Sequence, residues 1–211
     1  MSKYKCVIFD CDGVLIDSEP IAIGVLVEMA NYLGANMDFE RSMVALKGKS
    51  FQYCSNYISK RIKKPMPIHF EQDYRINTFE SFRKNIQPIK GISNVLKNIN
   101  LPFCVASSGP ENKIRLNLDL TGLLPFFEAH IFSCYAIQKW KPEPDVFLWA
   151  AETMGYEPED CLVVEDSLSG VRAAKAGGFD VFGYTEHDYN SELNNEATKT
   201  FSSMDKLLKM L

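Results

Sequence analysis

Apolar runs of strand length occur near the start of the chain and at intervals through its second half: Lys5 to Phe9, Phe103 to Ser107, His130 to Ser133, Cys161 to Val164 and Asp180 to Tyr184. Between them lie stretches with the three-to-four-residue apolar spacing of helices: Ile92 to Ile99, Glu111 to Leu120, Pro144 to Met154 and Leu168 to Ala176. Gly155 and Gly177 follow the last two, where glycine commonly ends a helix. This alternation predicts an α/β fold, a doubly wound, Rossmann-like parallel sheet covered by helices. From residue 19 to residue 86 the alternation stops and only helical periods remain. They run from Ile21 to Leu33 before Gly34, Phe39 to Leu46 before Gly48, Ser50 to Ile62, and Ile68 to Ile86, with Pro65 and Pro67 as an internal break. Gln87-Pro88-Ile89-Lys90-Gly91 reads as the return. The expected organisation is therefore an α/β core of residues 1–18 and 87–211, with a helical insertion, residues 19–86, after the first strand. Thr185 to Lys199 reads as a polar loop and Met204 to Leu211 as a short amphipathic helix, and neither suggests a function.

Composition narrows the possibilities. A chain of 211 residues allows one sizeable domain or one domain with an insertion, and 46% apolar with 24% charged residues is ordinary globular usage. No apolar run approaches the roughly 18 residues of a membrane span, and the N-terminus lacks a signal-peptide pattern. A soluble cytoplasmic protein with no membrane partner is expected. A net charge of −4 gives no nucleic-acid footprint. The six cysteines are scattered without a CxxC pair and the three histidines lack ligand spacing, so buried free thiols are expected and zinc is not. Charge is unevenly divided: residues 19–86 carry ten basic and seven acidic side chains, the rest thirteen and twenty. A basic insertion on an acidic core suits a phosphorylated substrate, although most of these lysines read as a solvated helix face. With no long apolar stripe left over, a monomer is expected.

In an open parallel sheet, ligands bind beyond the carboxyl ends of the strands. The first strand ends in Asp10-Cys11-Asp12-Gly13 and the second in Ser107-Ser108-Gly109. Lys141-Pro142 follows the third, and the fourth ends in Glu165-Asp166-Ser167. Several carboxylates gathered at one edge are costly without a cation, and an oxygen-only set points to Mg²⁺. In this reading Asp10 attacks phosphorus, Asp12 protonates the leaving oxygen and later activates water, and Gly13 allows the sharp turn behind them. Ser107 and neighbouring amides hold the phosphoryl oxygens, Lys141 offsets charge on the nucleophile, and Glu165 and Asp166 hold the metal. Cys11, between the two aspartates, reads as a spacer pointing away from the chemistry.

The order of these four segments resembles the motif set of haloacid-dehalogenase-superfamily phosphohydrolases, in the subgroup similar to β-phosphoglucomutase and small sugar-phosphate phosphatases. The resemblance covers essentially the whole chain. Tyr135 to Pro142, Tyr-x-Ile-Gln-x-Trp-Lys-Pro, further resembles 6-phosphogluconate phosphatase-like members. It implies a helical cap in the insertion, Asp10 as nucleophile, Asp12 as acid/base, Ser107 as phosphate binder, Lys141 as the motif lysine, and Glu165 with Asp166 as metal acids. It also implies that the Asp12 backbone carbonyl binds Mg²⁺. Dehalogenases of the superfamily lack the second aspartate, so Asp12 speaks against carbon–halogen cleavage. Mutases resembling β-phosphoglucomutase carry a cap histidine and a phosphate-gripping arginine where this chain has Ala22 and Phe51, which favours hydrolysis.

Lys47 and Gly48 match the substrate-facing Leu-Lys-Gly turn of such caps. Lys47, Gly48 and Ser108 are therefore candidate substrate contacts, with Lys49 a weaker one. Trp140, Trp149, Phe147 and Leu148 are expected to pack the helix after Lys141, and Tyr53, Tyr57, Tyr74, Phe79 and Phe82 to form helical core. The expected function is Mg²⁺-dependent hydrolysis of a small phosphorylated metabolite, a sugar or sugar-acid phosphate. The alternatives are a sugar phosphomutase and a non-catalytic phosphometabolite-binding protein.

Overall fold

The structure, a computed structural model, describes residues 3–211. Six parallel strands form one sheet in the order β3-β2-β1-β4-β5-β6. They are β1 (Cys6–Phe9), β2 (Phe103–Ser107), β3 (Ile131–Ser133), β4 (Cys161–Glu165), β5 (Asp180–Tyr184) and β6 (Lys199–Phe201). β1 and β4 are buried at every position, as strands covered on both faces must be, which is why they read as continuous apolar runs. The helices associated with this sheet are α5 (Ile92–Asn98), α6 (Glu111–Leu120), α7 (Cys134–Ile137), α8 (Asp145–Met154), α9 (Leu168–Ala176) and α10 (Leu207–Met210). One face of the sheet packs Ile8, Ala106 and Val163 against Phe147, Ala150 and Val171 of α8 and α9. Full burial of each large side chain there contributes about 1.5–3 kcal/mol.

The chain divides into two compact units, one running to Ile16 and resuming over Gln87–Leu211, the other Asp17–Ile86. In the first, Ile16 pairs antiparallel with Pro88, and Ile89 donates its backbone N–H to Leu15 at 2.9 Å. The points where the chain leaves and re-enters the α/β unit are thus hydrogen-bonded neighbours.

The second unit holds α1 (Glu19–Tyr32), α2 (Phe39–Leu46), α3 (Phe51–Ile62) and α4 (Phe70–Asn85). Asp38 and Ser50 cap α2 and α3, each side chain accepting a backbone N–H of the first turn, which satisfies an otherwise orphaned donor. Its core gathers Ile23, Leu26, Ala30, Leu46, Ile58 and Phe70. None of the helices among the described residues is long and apolar enough to cross a membrane.

Several details depart from the sequence reading. β6 and α7 fall where a loop and a strand end were expected; both are short, and β6 is a sheet edge with two exposed positions out of three. Gly177 does close α9, as expected, but in a right-handed conformation: it is needed because a Cβ there would meet the Phe179 ring at 2.7 Å, and the left-handed residue is the next one, Gly178 (φ 82°). Trp140 stands 40% exposed with its ring edge-on to Tyr135, while Trp149 and Phe147 pack against Phe132 and Phe179. Leu148 and Tyr53 are also exposed rather than core, facing outward on helices whose opposite faces fill the interior.

Candidate functional site

The strand order reverses direction at β1, and the residues that leave β1 and β4 therefore meet at the point where a parallel sheet opens a crevice. Asp10 follows β1 directly, its N–H still held by Val164 of β4 at 2.9 Å. The next residues coil back tightly, with the amides of Leu15 and Ile16 both donating to the Cys11 carbonyl. Gly13 takes φ 87° in this turn, and a Cβ on it would lie 2.1 Å from a carboxylate oxygen of Asp166, so only glycine allows that carboxylate its place.

Lys141 is the centre of the cluster. Its ammonium donates to Asp10 Oδ1 at 2.5 Å, to Glu165 Oε1 at 2.8 Å and to the Ala106 carbonyl at 3.1 Å, with the side chain only 3% exposed. It also lies 4.5 Å from the centre of the Phe147 ring. Burial works against the Lys141 charge, but Asp10 and Glu165 outweigh it and hold the ammonium above the usual lysine range. Burial pushes the Asp10 carboxyl well up; Lys141 opposes this, and the charges of Glu165 and Asp166 add to it. The other oxygen of Glu165 accepts the N–H of Ser167 at 2.8 Å and its hydroxyl at 2.9 Å. Ser167 in turn caps α9 through Gly170 N–H, and Gly170 has no room for a Cβ, which would lie 1.7 Å from Glu165 Oε1.

Ser107 is buried, whereas the Asp12 side chain is about one-fifth exposed. The Gly109 N–H donates to Ser107 Oγ at 3.1 Å, and Ser133 holds the Gly109 carbonyl at 2.7 Å, fixing the loop after β2. The Ser108 hydroxyl lies 3.9 Å from the Cys134 thiol. Asp12 Oδ2 receives Lys113 Nζ, from the first turn of α6, at 2.8 Å. Cys11 is buried, and burial followed by the charges of Asp12 and Asp10 drives its thiol well above the ordinary range, so it carries no thiolate chemistry.

The profile of haloacid dehalogenase-like hydrolases matches residues 4–178. The chain belongs to this family. A curated member, 6-phosphogluconate phosphatase of Escherichia coli, is 31% identical over 208 residues, covering 98% of this chain and 94% of its own. Among solved structures, a haloacid dehalogenase-like protein from Agrobacterium tumefaciens superposes with a TM-score of 0.90 at 29% identity, covering 97% and 96% of the two chains. A family hydrolase from Deinococcus radiodurans, solved with phosphate and sodium bound, gives 0.85 at 26% identity and covers 98% and 94%.

For a hydrolase of this family the donor set suits a hard divalent cation. One oxygen each from Asp10, Glu165 and Asp166 lie within 4.8 Å of one another, and a cation there relieves both the burial and the added carboxylate repulsion that raise Asp10. Of the residues singled out in the sequence, Asp10, Lys141, Glu165 and Asp166 come together, and Asp12 stands two residues beyond Asp10. Lys47, half-buried, ends α2, and Gly48 follows at φ 66°; both belong to the helical unit. Lys113, Ser133 and Gly170 went unnoticed. Lys113 lies six residues past Ser107 on the helix that this strand-end loop opens, the one local sign that it could point back.

Proposed function

We propose that the protein is a Mg²⁺-dependent phosphatase acting on a small sugar or sugar-acid phosphate through an aspartyl-phosphate on Asp10. The observation that carries this reading is the buried Asp10–Lys141–Glu165 set with Asp166 in ligand reach and Asp12 two residues further on. Asp10, Asp166, Glu165 and the Asp12 backbone carbonyl would hold Mg²⁺, which when bound neutralises charge on the carboxylates and phosphoryl oxygens. An Asp10 oxygen bonds to phosphorus as the bond to the substrate oxygen breaks, and Asp12 gives that oxygen its proton. Lys141 aims the Asp10 carboxylate and opposes the loss of its charge that burial favours. Ser107 and the amides after β2 hold the transferring oxygens, with Ser108 at the rim. Water then attacks the phosphorus, Asp12 takes its proton, and inorganic phosphate leaves. The helical unit, with Lys47 and Gly48, is assigned the choice of substrate. The substrate named for the Escherichia coli relative places 6-phosphogluconate first among those to test. Against a mutase stands Phe51, whose ring stacks on Tyr74 at 5.4 Å inside the helical core instead of offering a cation to a second phosphate.

Phosphate release from sugar phosphates, sugar-acid phosphates and nucleotides, with Mg²⁺ or EDTA, tests the reading. Release that needs both the metal and Asp10, and is lost in a folded Asp10→Asn variant, is expected. Release unchanged by Asp10→Asn would remove Asp10 as nucleophile, and bisphosphate-dependent isomerisation without release would make the protein a mutase.

A further inference from the structure

We propose that Lys113 is a positioning residue for the second half of the reaction, holding the Asp12 carboxylate where it takes a proton from the water that hydrolyses the aspartyl-phosphate; the proposal rests on the phosphatase reading above. Lys113 Nζ is 2.8 Å from Asp12 Oδ2, an ion pair spanning 101 positions of sequence and joining the loop after β1 to the helix after β2. Both side chains are about one quarter exposed, 24% and 22%, so the pair borders the open side of the site instead of being sealed within it.

A second observation fixes what the pair surrounds. A Cβ built on Gly109 would lie 3.5 Å from Ser107 Oγ, 3.7 Å from Lys113 Cδ and 3.8 Å from Asp12 Oδ2. These distances are ordinary contacts, so the hydroxyl, the lysine stem and the carboxylate converge on one small space that the glycine leaves open. Ser107 is the residue assigned to the phosphoryl oxygens, which puts the paired carboxylate beside the group to be hydrolysed.

The step balances without an added reagent. The water oxygen bonds to the phosphorus on Asp10, and the phosphorus–Asp10 bond breaks with its electrons returning to the carboxylate. The water proton passes to Asp12, and inorganic phosphate departs. A carboxylate free to swing away from the water does this slowly, and a lysine anchored on α6 restricts that swing at its base. In the first half the same carboxyl must act as an acid, so a substrate whose leaving group needs no proton isolates the role of Lys113.

Para-nitrophenyl phosphate with Mg²⁺ is such a substrate, and rapid-mixing kinetics on the full chain follow it. Lys113→Met is expected to lower kcat about 10- to 100-fold, a part of the 10²–10⁴ typical of general acid–base catalysis. Because kcat/KM reports only steps through formation of the aspartyl-phosphate, it should change little, and a burst of nitrophenol approaching one per site should appear. Lys113→Arg, which can still bond Asp12, should recover most of kcat and abolish the burst. Equal loss of kcat and kcat/KM without a burst, or no loss at all, overturns the assignment while leaving the phosphatase intact. Melting curves of both variants distinguish misfolding, and a melted Met variant leaves the decision to the Arg variant, whose burst would equally overturn it. Failure of the wild type to release nitrophenol in an Asp10-dependent way defeats the phosphatase reading and this proposal with it.

Discussion

The two ends of the same sheet solve opposite problems. At the carboxyl end, Asp10, Lys141 and Glu165 are ionisable groups with side chains at most 10% exposed, each bonded to another. At the amino end, β1 and β4 open on Cys6 and Cys161, which face each other in the register, with Cys104 nearby on β2; all three are fully buried. Hydrogen bonding to Cys104, with burial adding to it, pushes the Cys6 thiol up to about 12, and Cys161 is raised further by Cys6 and burial. The Cys6 and Cys161 thiols stay neutral and need no counter-charge. Ion pairs at that end lie outside: Lys3 with Asp180, and Lys5 with Asp160 at 2.9 Å, their lysines more than 60% exposed. Burial is thus tolerated by neutral groups singly and by charged groups only as a closed set, so the removal of one member should be felt in proportion to enclosure.

The largest effect should follow Lys141→Met. It leaves Asp10 and Glu165 buried without a cation, and urea unfolding of the metal-free protein should show a loss of about 3–5 kcal/mol, together with loss of phosphate release. Gly170→Ala should cost less, about 1–3 kcal/mol, because its methyl displaces Glu165 from Lys141 without removing a charge; a shift in melting temperature checks it, with reduced turnover as the companion sign. The smallest change should come from Asp180→Asn. Lys3, Tyr4 and Thr198 hold the Asp180 carboxyl below its usual range, with the Lys3 hydrogen bond first. A lowered carboxylate pKa stabilises above the unfolded value, near 4, and that stability fades as pH falls through the folded value. The variant should therefore lose under about 1 kcal/mol near pH 7, and the loss should vanish once the pH has fallen below the lowered folded value. If Lys141→Met melts no lower than Asp180→Asn, the two ends are energetically alike and the contrast fails.

The sheet end was readable because each carboxyl or lysine follows a run too apolar to be anything but a buried strand, as with Asp10 after Cys6–Phe9 and Glu165 at the close of Cys161–Val164. Parallel topology then brings such positions to one edge whatever lies between them. Lys113 escaped because its partner is fixed by how the loop after β2 folds on Ser133 and Ser107, geometry that leaves no spacing signal. Trp140 was misjudged for a related reason. It lies in the loop before α8, and its ring meets Tyr135 edge-on, a contact set by how that loop folds. β6 is too short and too polar, at Lys199-Thr200-Phe201, for alternation to register.

The pairing of Ile16 with Pro88 and of Leu15 with Ile89 makes the departure and return of the chain a single clasp on the α/β unit. A segment whose ends are already side by side imposes little strain on its host, the circumstance in which proteins accept insertions. Asp17–Ile86 is therefore a cassette in the genetic sense: a replacement of different length or content attaches at the same two neighbouring peptides and leaves the strand register untouched. On the functional reading proposed here, hydrolytic machinery and substrate choice occupy separable stretches of gene, and each can drift on its own clock.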